Sequence, residues 1–236
     1  MAVKGIIWDY DGTLVDTRQK NYNVARALLT SFVGERAKDF PAFASLEVYE
    51  AANRKYANWR ELYHKEFGLN DEETNAAGSL WTEFQLRDTT DVEFYDGINH
   101  AISHLKKYPH GIVSQNSHQN IKNNLERHGI LDHFRFIIGY EEVDIRKQKP
   151  DPEGLLMGIS QIGNFNHTDT IVYVGDHDTD AHCANNANQK LGRKAIVTVA
   201  AAYGLYDPTG GWQHKPDFTA HHPSEIVQIV ESIDKA

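Results

Sequence analysis

Apolar residues along this chain follow two rhythms. The first is the short unbroken run. Val3, Ile6, Ile7 and Trp8 form one, and their β-branched character suits a buried strand. Similar runs at Gly111–Val113, Phe134–Gly139, Thr170–Gly175 and Lys194–Ala200 predict further strands, the one at Lys194–Ala200 being the last of the core. The fully apolar TIVYVG stretch is of the kind a parallel sheet buries on both faces.

The second rhythm is helical. Tyr22, Ala25, Leu29 and Phe32 share one stripe, and Tyr49, Ala52, Tyr56, Trp59 and Tyr63 another. Asn70 followed three residues later by Glu73 predicts a helix start, continued by Ala77, Leu80, Trp81 and Phe84. No strand signal occurs between Thr17 and Asp91, so this stretch is expected to be an all-helical insertion, far longer than an ordinary connection between strands. Later helices are expected over Ile98–Leu105, around Ile121 and Leu125 with Gly129 as stop, and from Asp151 as cap with Pro152 as first residue to Gly163. Asp207–Pro216 reads as an irregular connection, and Pro223 opens a closing helix with Ile226, Ile229, Val230 and Ile233 on one side.

Bulk properties narrow the class. The 236 residues allow one large domain or a domain with a smaller companion. A net charge of −9 argues against nucleic-acid or anionic-membrane partners. An anionic substrate remains compatible, because a bound cation and a lysine or two can reverse the local field. A single cysteine, Cys183, excludes an intrachain disulfide. MAVKGIIWDY carries only a brief apolar run before acids, so neither a signal peptide nor a membrane span is expected, and a cytoplasmic enzyme is.

Chemistry gathers where the apolar runs end. Asp9 and Asp11 stand one residue apart after the first strand. Two such carboxylates repel each other and are costly to desolvate, so a cation or a reacting group must offset them. Gly12 lets the backbone turn sharply after them. The second strand runs into Ser114-Gln115-Asn116 just before a helix, a place suited to an anion. The fourth runs into Asp176-His177-Asp178-Thr179-Asp180. A calcium loop would need Gly at its sixth position and Glu at its twelfth, and Ala181 and Ala187 stand there. His177 and His182 are expected to lie beside the acids rather than to ligate, and His100 and His104 to share a solvated helix face.

DYDGTLVD resembles the first motif, DxDGTLxD, of the haloacid dehalogenase-like hydrolases. Ser114 resembles the hydroxyl of the second motif, Lys149 in KPDP the lysine of the third, and Asp176 with Asp180 the GDxxxD of the fourth. Asp96 before Gly97 departs from the family's usual Pro, and Gln115-Asn116 stand where many members have Asn and Lys. The resemblance spans nearly the whole chain, with the insertion matched by position and helicity. It implies an α/β fold: a Rossmann-like three-layer parallel-sheet core over residues 1–16 and 92–236, with a helical cap over 17–91 inserted after the first strand. By similarity the nearest subgroup contains phosphoglycolate phosphatase-like enzymes.

The same resemblance implies roles. Asp9 would be the nucleophile and Asp11 the general acid and base. Ser114 and Gln115 would hold the phosphoryl group, and Lys149 would neutralise both that group and Asp9. Mg²⁺ would be held by Asp9, the backbone carbonyl of Asp11 and Asp176, with Asp180 acting through water or on Lys149. The expected activity is that of a Mg²⁺-dependent phosphatase acting on a small phosphorylated metabolite through an aspartyl-phosphate. Dehalogenases and phosphonate hydrolases of the family lack the second acid, so Asp11 counts against both. A sugar phosphomutase of the same family stays open, as does, from another class, a non-catalytic binding module on this fold.

Overall fold

The first apolar run is a strand, β1 (Ala2–Trp8), in the computed structural model, which describes residues 2–56, 58–163, 165–204 and 208–235. Asp207, the expected start of an irregular connection, lies outside the described residues. The chain divides into two compact units, Thr17–Val92 on one hand and Met1–Asp16 with Glu93–Ala236 on the other.

Thr17–Val92 is helical, with α1 (Arg18–Val33), α2 (Leu46–Lys55), α3 (Trp59–Lys65) and α4 (Asp71–Arg87). The Asn70 carboxamide accepts the Glu73 N–H while the Glu73 carboxylate accepts the Asn70 N–H, each at 2.9 Å, a reciprocal cap on α4. The stripe from Tyr49 to Tyr63 is not one helix. Tyr56 is extended, and Asn58 starts α3 by accepting the Glu61 N–H at 3.0 Å. Short 3₁₀ turns at Gly34–Asp39 and Pro41–Phe43, unanticipated from the pattern, bring Phe43 against Tyr49 and Phe67, with ring centroids 5.9 and 5.0 Å apart. These rings, with Leu28, Leu29 and Leu62, form the unit's core.

The other unit holds the sheet. Its elements after β1 are α5 (Ile98–His104), β2 (His110–Val113), α6 (His118–Arg127), β3 (Phe134–Ile138), α7 (Glu153–Ile162) and β4 (Asp169–Gly175), then α8 (Asp178–Leu191), β5 (Ile196–Ala201), β6 (Phe218–Ala220) and α9 (Pro223–Lys235). Among the described residues the sheet has six strands, all parallel, in the order β3-β2-β1-β4-β5-β6. The expectation that the run ending at Ala200 was the last strand is corrected by β6. That strand has three residues, of which only Ala220 is buried, so it leaves no apolar run to read. Helix α7 starts at Glu153, a residue later than expected, yet Asp151 still accepts the Glu153 N–H at 2.9 Å.

Alternation along the strands sorts their side chains. Ile7, Ile171, Tyr173 and Ile196 pack with Leu155 and Ile159 of α7 and with Cys183 and Ala187 of α8. The residues between them, such as Ile6, Trp8, Val172 and Val174, are also fully buried, on the opposite face. There α9 packs against β1 and β6, and α5 against α9. The result is a three-layer α/β core. The helical segment leaves and returns through adjacent backbone, because the Asp16 N–H donates to the Glu93 carbonyl at 3.0 Å and the Tyr95 N–H to Leu14 at 3.1 Å.

Candidate active site

Trp8 of β1 stands in register with Val174 of β4, so the residues just past these strands emerge side by side. Asp9 follows β1 directly, and its N–H donates to the Val174 carbonyl at 2.8 Å, which fixes its backbone to the neighbouring strand. The chain then turns. Gly12 has φ +73°, and its N–H donates to Val15 while the Leu14 N–H donates back to Tyr10, both at 2.9 Å. A Cβ on Gly12 would lie 2.1 Å from Asp176 Oδ2, so the glycine answers both the backbone angle and the approach of that carboxylate. Across the crevice Thr13 Oγ1 donates to Asp176 Oδ1 at 3.4 Å.

Lys149 arrives from the segment before α7 and is 9% exposed. Its Nζ donates to Asp9 Oδ1 at 2.6 Å and to Asp180 Oδ1 at 2.7 Å. Tyr173, from β4, donates its hydroxyl to the same Asp180 oxygen at 2.9 Å, and its ring centroid lies 5.3 Å from the Lys149 nitrogen. Asp180 Oδ2 accepts the His177 N–H at 3.1 Å at the start of α8. Gly175 permits this, since a Cβ there would fall 2.4 Å from Asp180 Cγ.

The electrostatics are one-sided. Asp9, Asp176 and Asp180 bring carboxylate oxygens within 4.8 Å of one another, and Lys149 faces them. Burial pushes the Asp9 carboxyl above its ordinary range; Lys149 pulls it back, while Asp180 and Asp11 push it further up. Asp176 is raised by burial and then by Asp9 and Asp180. Burial also works against the charge of Lys149, but Asp180 and Asp9 outweigh it and hold the ammonium protonated. An excess of oxygen donors over one ammonium is a donor set that fits a hard divalent cation.

The remaining expected residues lie around this cluster. Asp11 is half-buried, and its carboxylate faces Asn116, whose Nδ2 lies 2.9 Å from both of its oxygens. Ser114 is buried, and its N–H donates to Ile138 at 2.9 Å. Ser114 Oγ accepts the Asn116 N–H at 3.2 Å. Gln115 is exposed, and it borders one small crevice together with Ser114, Gly139 and Lys149. The structure thus joins Asp9, Lys149, Asp176 and Asp180 directly and sets Asp11, Ser114 and Gln115 at the margin. Tyr173, on β4, and Tyr203, just past β5, whose hydroxyl donates to the Thr13 carbonyl, were not anticipated, because nothing local in the sequence marks either tyrosine as polar in use.

The acids and histidines of the fourth stretch also resolve. Asp178, which fits no motif position, accepts the His214 N–H at 2.7 Å and lies 3.0 Å from His214 Nδ1, tying the segment before β6 to α8. His182 stacks on His214 with centroids 3.7 Å apart, and His177 caps α8. His104 faces Glu231 at 3.2 Å.

Residues 6–193 match the model of the haloacid dehalogenase-like hydrolases. The chain belongs to that family. Among curated relatives, it is 27% identical over 233 residues to a pyrophosphatase PpaX of Listeria innocua, covering 95% of each chain. It is 23% identical over 237 residues to the N-acetylmuramic acid 6-phosphate phosphatase of Pseudomonas aeruginosa, covering 98% of this chain and 96% of that one. A Lactobacillus plantarum crystal structure, provisionally named a phosphoglycolate phosphatase, shares the fold with a TM-score of 0.77 at 19% identity, covering 97% of this chain and all of the other. Among the described residues of this family member, no helix is long and apolar enough to cross a membrane.

Proposed function

We propose that this family member is a phosphatase that hydrolyses a small phosphorylated metabolite through an aspartyl-phosphate on Asp9. The observation that carries the reading is the buried contact of Lys149 with Asp9 and Asp180, beside Asp176. A carboxylate attacking a phosphate dianion meets strong repulsion, and a site that catalyses this step needs positive charge fixed around the nucleophile. Relatives named as phosphatases over nearly their full length support the same reading.

In this reading Asp9 Oδ attacks phosphorus, the ester oxygen leaves, and Asp11 gives it a proton. Asp11 then takes a proton from the water that cleaves the acyl phosphate, returning Asp9 as a carboxylate and releasing inorganic phosphate. Ser114 Oγ and the exposed Gln115 hold phosphoryl oxygens, and Lys149 neutralises charge on Asp9 and on the group being transferred. Asp9, Asp176 and the Asp11 carbonyl would hold Mg²⁺, with Asp180 orienting Lys149. Such an ion supplies electrostatic shielding between nucleophile and phosphate. Residues 17–92 would act as the cap that selects the leaving group. The relatives named pyrophosphatase make inorganic pyrophosphate a second substrate to test.

The test is release of phosphate from an aryl phosphate, from a panel of phosphorylated metabolites and from pyrophosphate, each with Mg²⁺ and with chelator. Expected is Mg²⁺-dependent turnover by the wild type and its loss, by at least about a thousandfold, in Asp9→Asn with the fold retained. Full activity in that variant would overturn the mechanism. Binding without turnover across the panel would favour a non-catalytic module, and bisphosphate-dependent isomerisation a phosphomutase.

A further inference from the structure

The geometry points to Asn116 as the residue that positions Asp11 and directs its proton, an inference that rests on the phosphatase reading above. Asn116 is 3% exposed and stands two residues beyond Ser114. Its Nδ2 lies 2.9 Å from Asp11 Oδ1 and 2.9 Å from Asp11 Oδ2, so one amide nitrogen spans both carboxylate oxygens. This contact joins residues 105 apart in sequence.

The orientation of the Asn116 carboxamide is itself determined. Its Oδ1 accepts the Ser117 N–H at 2.7 Å and the Asn120 Nδ2 at 3.1 Å. Two donors on that atom leave only the NH₂ end to meet Asp11, so the reverse placement of oxygen and nitrogen would lose both bonds. Asn120 is buried on the first turn of α6, and the backbone of Asn116 is tied at both ends. Its N–H donates to Ser114 Oγ at 3.2 Å, and its carbonyl accepts the Tyr140 N–H at 3.1 Å. The side chain that meets Asp11 is therefore held by its own neighbours before Asp11 is considered.

Two consequences follow for a group that must give and take a proton. First, a carboxylate whose two oxygens are both engaged is confined to one side-chain rotamer, where an unheld one samples several. Second, Asn116 offers Asp11 donors and no acceptor. A proton carried by Asp11 finds no lone pair on the Asn116 side and is left directed away from it, available to the leaving oxygen. An aspartate at this position would do the reverse, presenting an acceptor and a like charge. Asn116 is thus a positioning residue, acting through Asp11 rather than on the substrate.

The readout is dependence on the leaving group. Departure of 2,4-dinitrophenolate needs no proton, whereas an alkoxide does. The ratio kcat/KM covers the steps up to that departure and leaves out the later hydrolysis of the acyl phosphate. We would measure it for the wild type, Asn116→Ala, Asn116→Asp, Asn120→Ala and Asp11→Asn, from 2,4-dinitrophenyl phosphate through phenyl phosphate to an alkyl phosphate. Expected for Asn116→Ala is a loss of about 10- to 100-fold on the alkyl ester, the scale of a hydrogen bond to a charged group, and under about threefold on the dinitrophenyl ester. Asn116→Asp should show the same steepening more strongly, and Asn120→Ala a weaker form of it. The pair Asp11→Asn with Asn116→Ala should be no slower than Asp11→Asn alone.

A loss equal across the series, or additive in the double variant, overturns the assignment of Asn116 while leaving the phosphatase reading intact. If Asn116→Ala does not fold, the slope of the Asn120→Ala and Asn116→Asp series decides in the same way. A wild type that cleaves no member of the series overturns both readings together.

Discussion

Replacing Lys149 by Met tests the charge balance on which the site depends. The ammonium is 2.6 Å from one Asp9 oxygen and 2.7 Å from one Asp180 oxygen, and all three side chains are at most 10% exposed. Met fills much the same volume, so the perturbation is chiefly electrostatic. Removing one partner of a buried pair costs ~3–5 kcal/mol because the other charge is left without compensation. Here two carboxylates lose a common partner, which puts the cost at the upper end. Protonation limits it, since burial already holds Asp9 above its ordinary range and loss of Lys149 raises it further. The sign follows. A carboxyl whose folded-state affinity for protons exceeds the unfolded one stabilises below the unfolded value, and that contribution is lost as pH rises through the folded one. The penalty of Lys149→Met should therefore be largest near pH 8 and shrink toward pH 5. For a unit of this size a cost of ~4 kcal/mol corresponds to a fall in Tm of about 8–16 °C. Scanning calorimetry in chelator suits the measurement, because the two units need not unfold together. A companion triple variant, Asp9→Asn with Lys149→Met and Asp180→Asn, removes the charges on all three and should recover most of the loss. A Tm for Lys149→Met within about 2 °C of wild type at pH 8, or a penalty that grows on acidification, would refute the reasoning.

Two further substitutions probe the frame around the site. Gly12→Ala places a methyl 2.1 Å from Asp176 Oδ2 at φ +73°, so it should cost ~1–2 kcal/mol in backbone strain and displace that carboxylate. Under the proposed mechanism the Mg²⁺ concentration that gives half-maximal turnover should rise at least tenfold, and an unchanged Mg²⁺ titration would contradict the close approach. His110 is buried on β2, accepts the Trp8 indole N–H at 2.9 Å, and is held down to about 4 by burial. Its folded-state affinity for protons lies below the unfolded one, so stability should be full above about pH 6.5 and fall toward pH 4, by ~1.4 kcal/mol per pH unit from this group. In urea unfolding at pH 7 and pH 4.5, His110→Gln should lose distinctly less stability between the two than wild type does.

The parts that were legible in the sequence are those whose cause is local. An apolar run that stops at Asp or Ser marks a strand end, and three such ends, at Asp9, Ser114 and Asp176, lie along one sheet. The Asn70–Glu73 spacing marks a cap because both halves of that cap lie within one turn. Asn58 and Glu61 carry half of the same signal, and reading the stripe across them merged α2 with α3. Strand β6 was illegible for the opposite reason: Phe218 is 39% exposed and the strand is held mainly by pairing with β5, which no window of its own sequence contains. The same holds for the site's supporting bonds. Tyr173 reads as one more apolar residue in TIVYVG until α8 brings Asp180 to its hydroxyl. Asp178 reads as a surplus acid until His214 arrives from 36 residues away. The carboxamide of Asn116 has no evident use until β1 and β2 are paired.

Why the acids converge at this place, and not elsewhere on the sheet, follows from strand order. From β1 the chain steps outward through β2 to β3, then returns past β1 to place β4 on its other side and continues outward through β5 to β6. The connections leaving β1 and β4 therefore run in opposite directions, and between them a crevice opens at the carboxyl ends of two central strands that are buried there. Asp9 and Asp176 stand at its two lips, one and two residues past the register pair Trp8–Val174. Backbone carbonyls at strand ends and buried side chains below leave little water to screen these charges, so each added carboxylate raises the others' affinity for protons, as Asp9 and Asp176 display. Only a cation entering from a third segment can relieve this, and Lys149 does so from the approach to α7, a helix that packs on β1, β2 and β3. Strand order makes the crevice and the crevice concentrates the acids. The acids in turn require the lysine, and their excess over that one ammonium makes a donor set that fits the divalent ion proposed above.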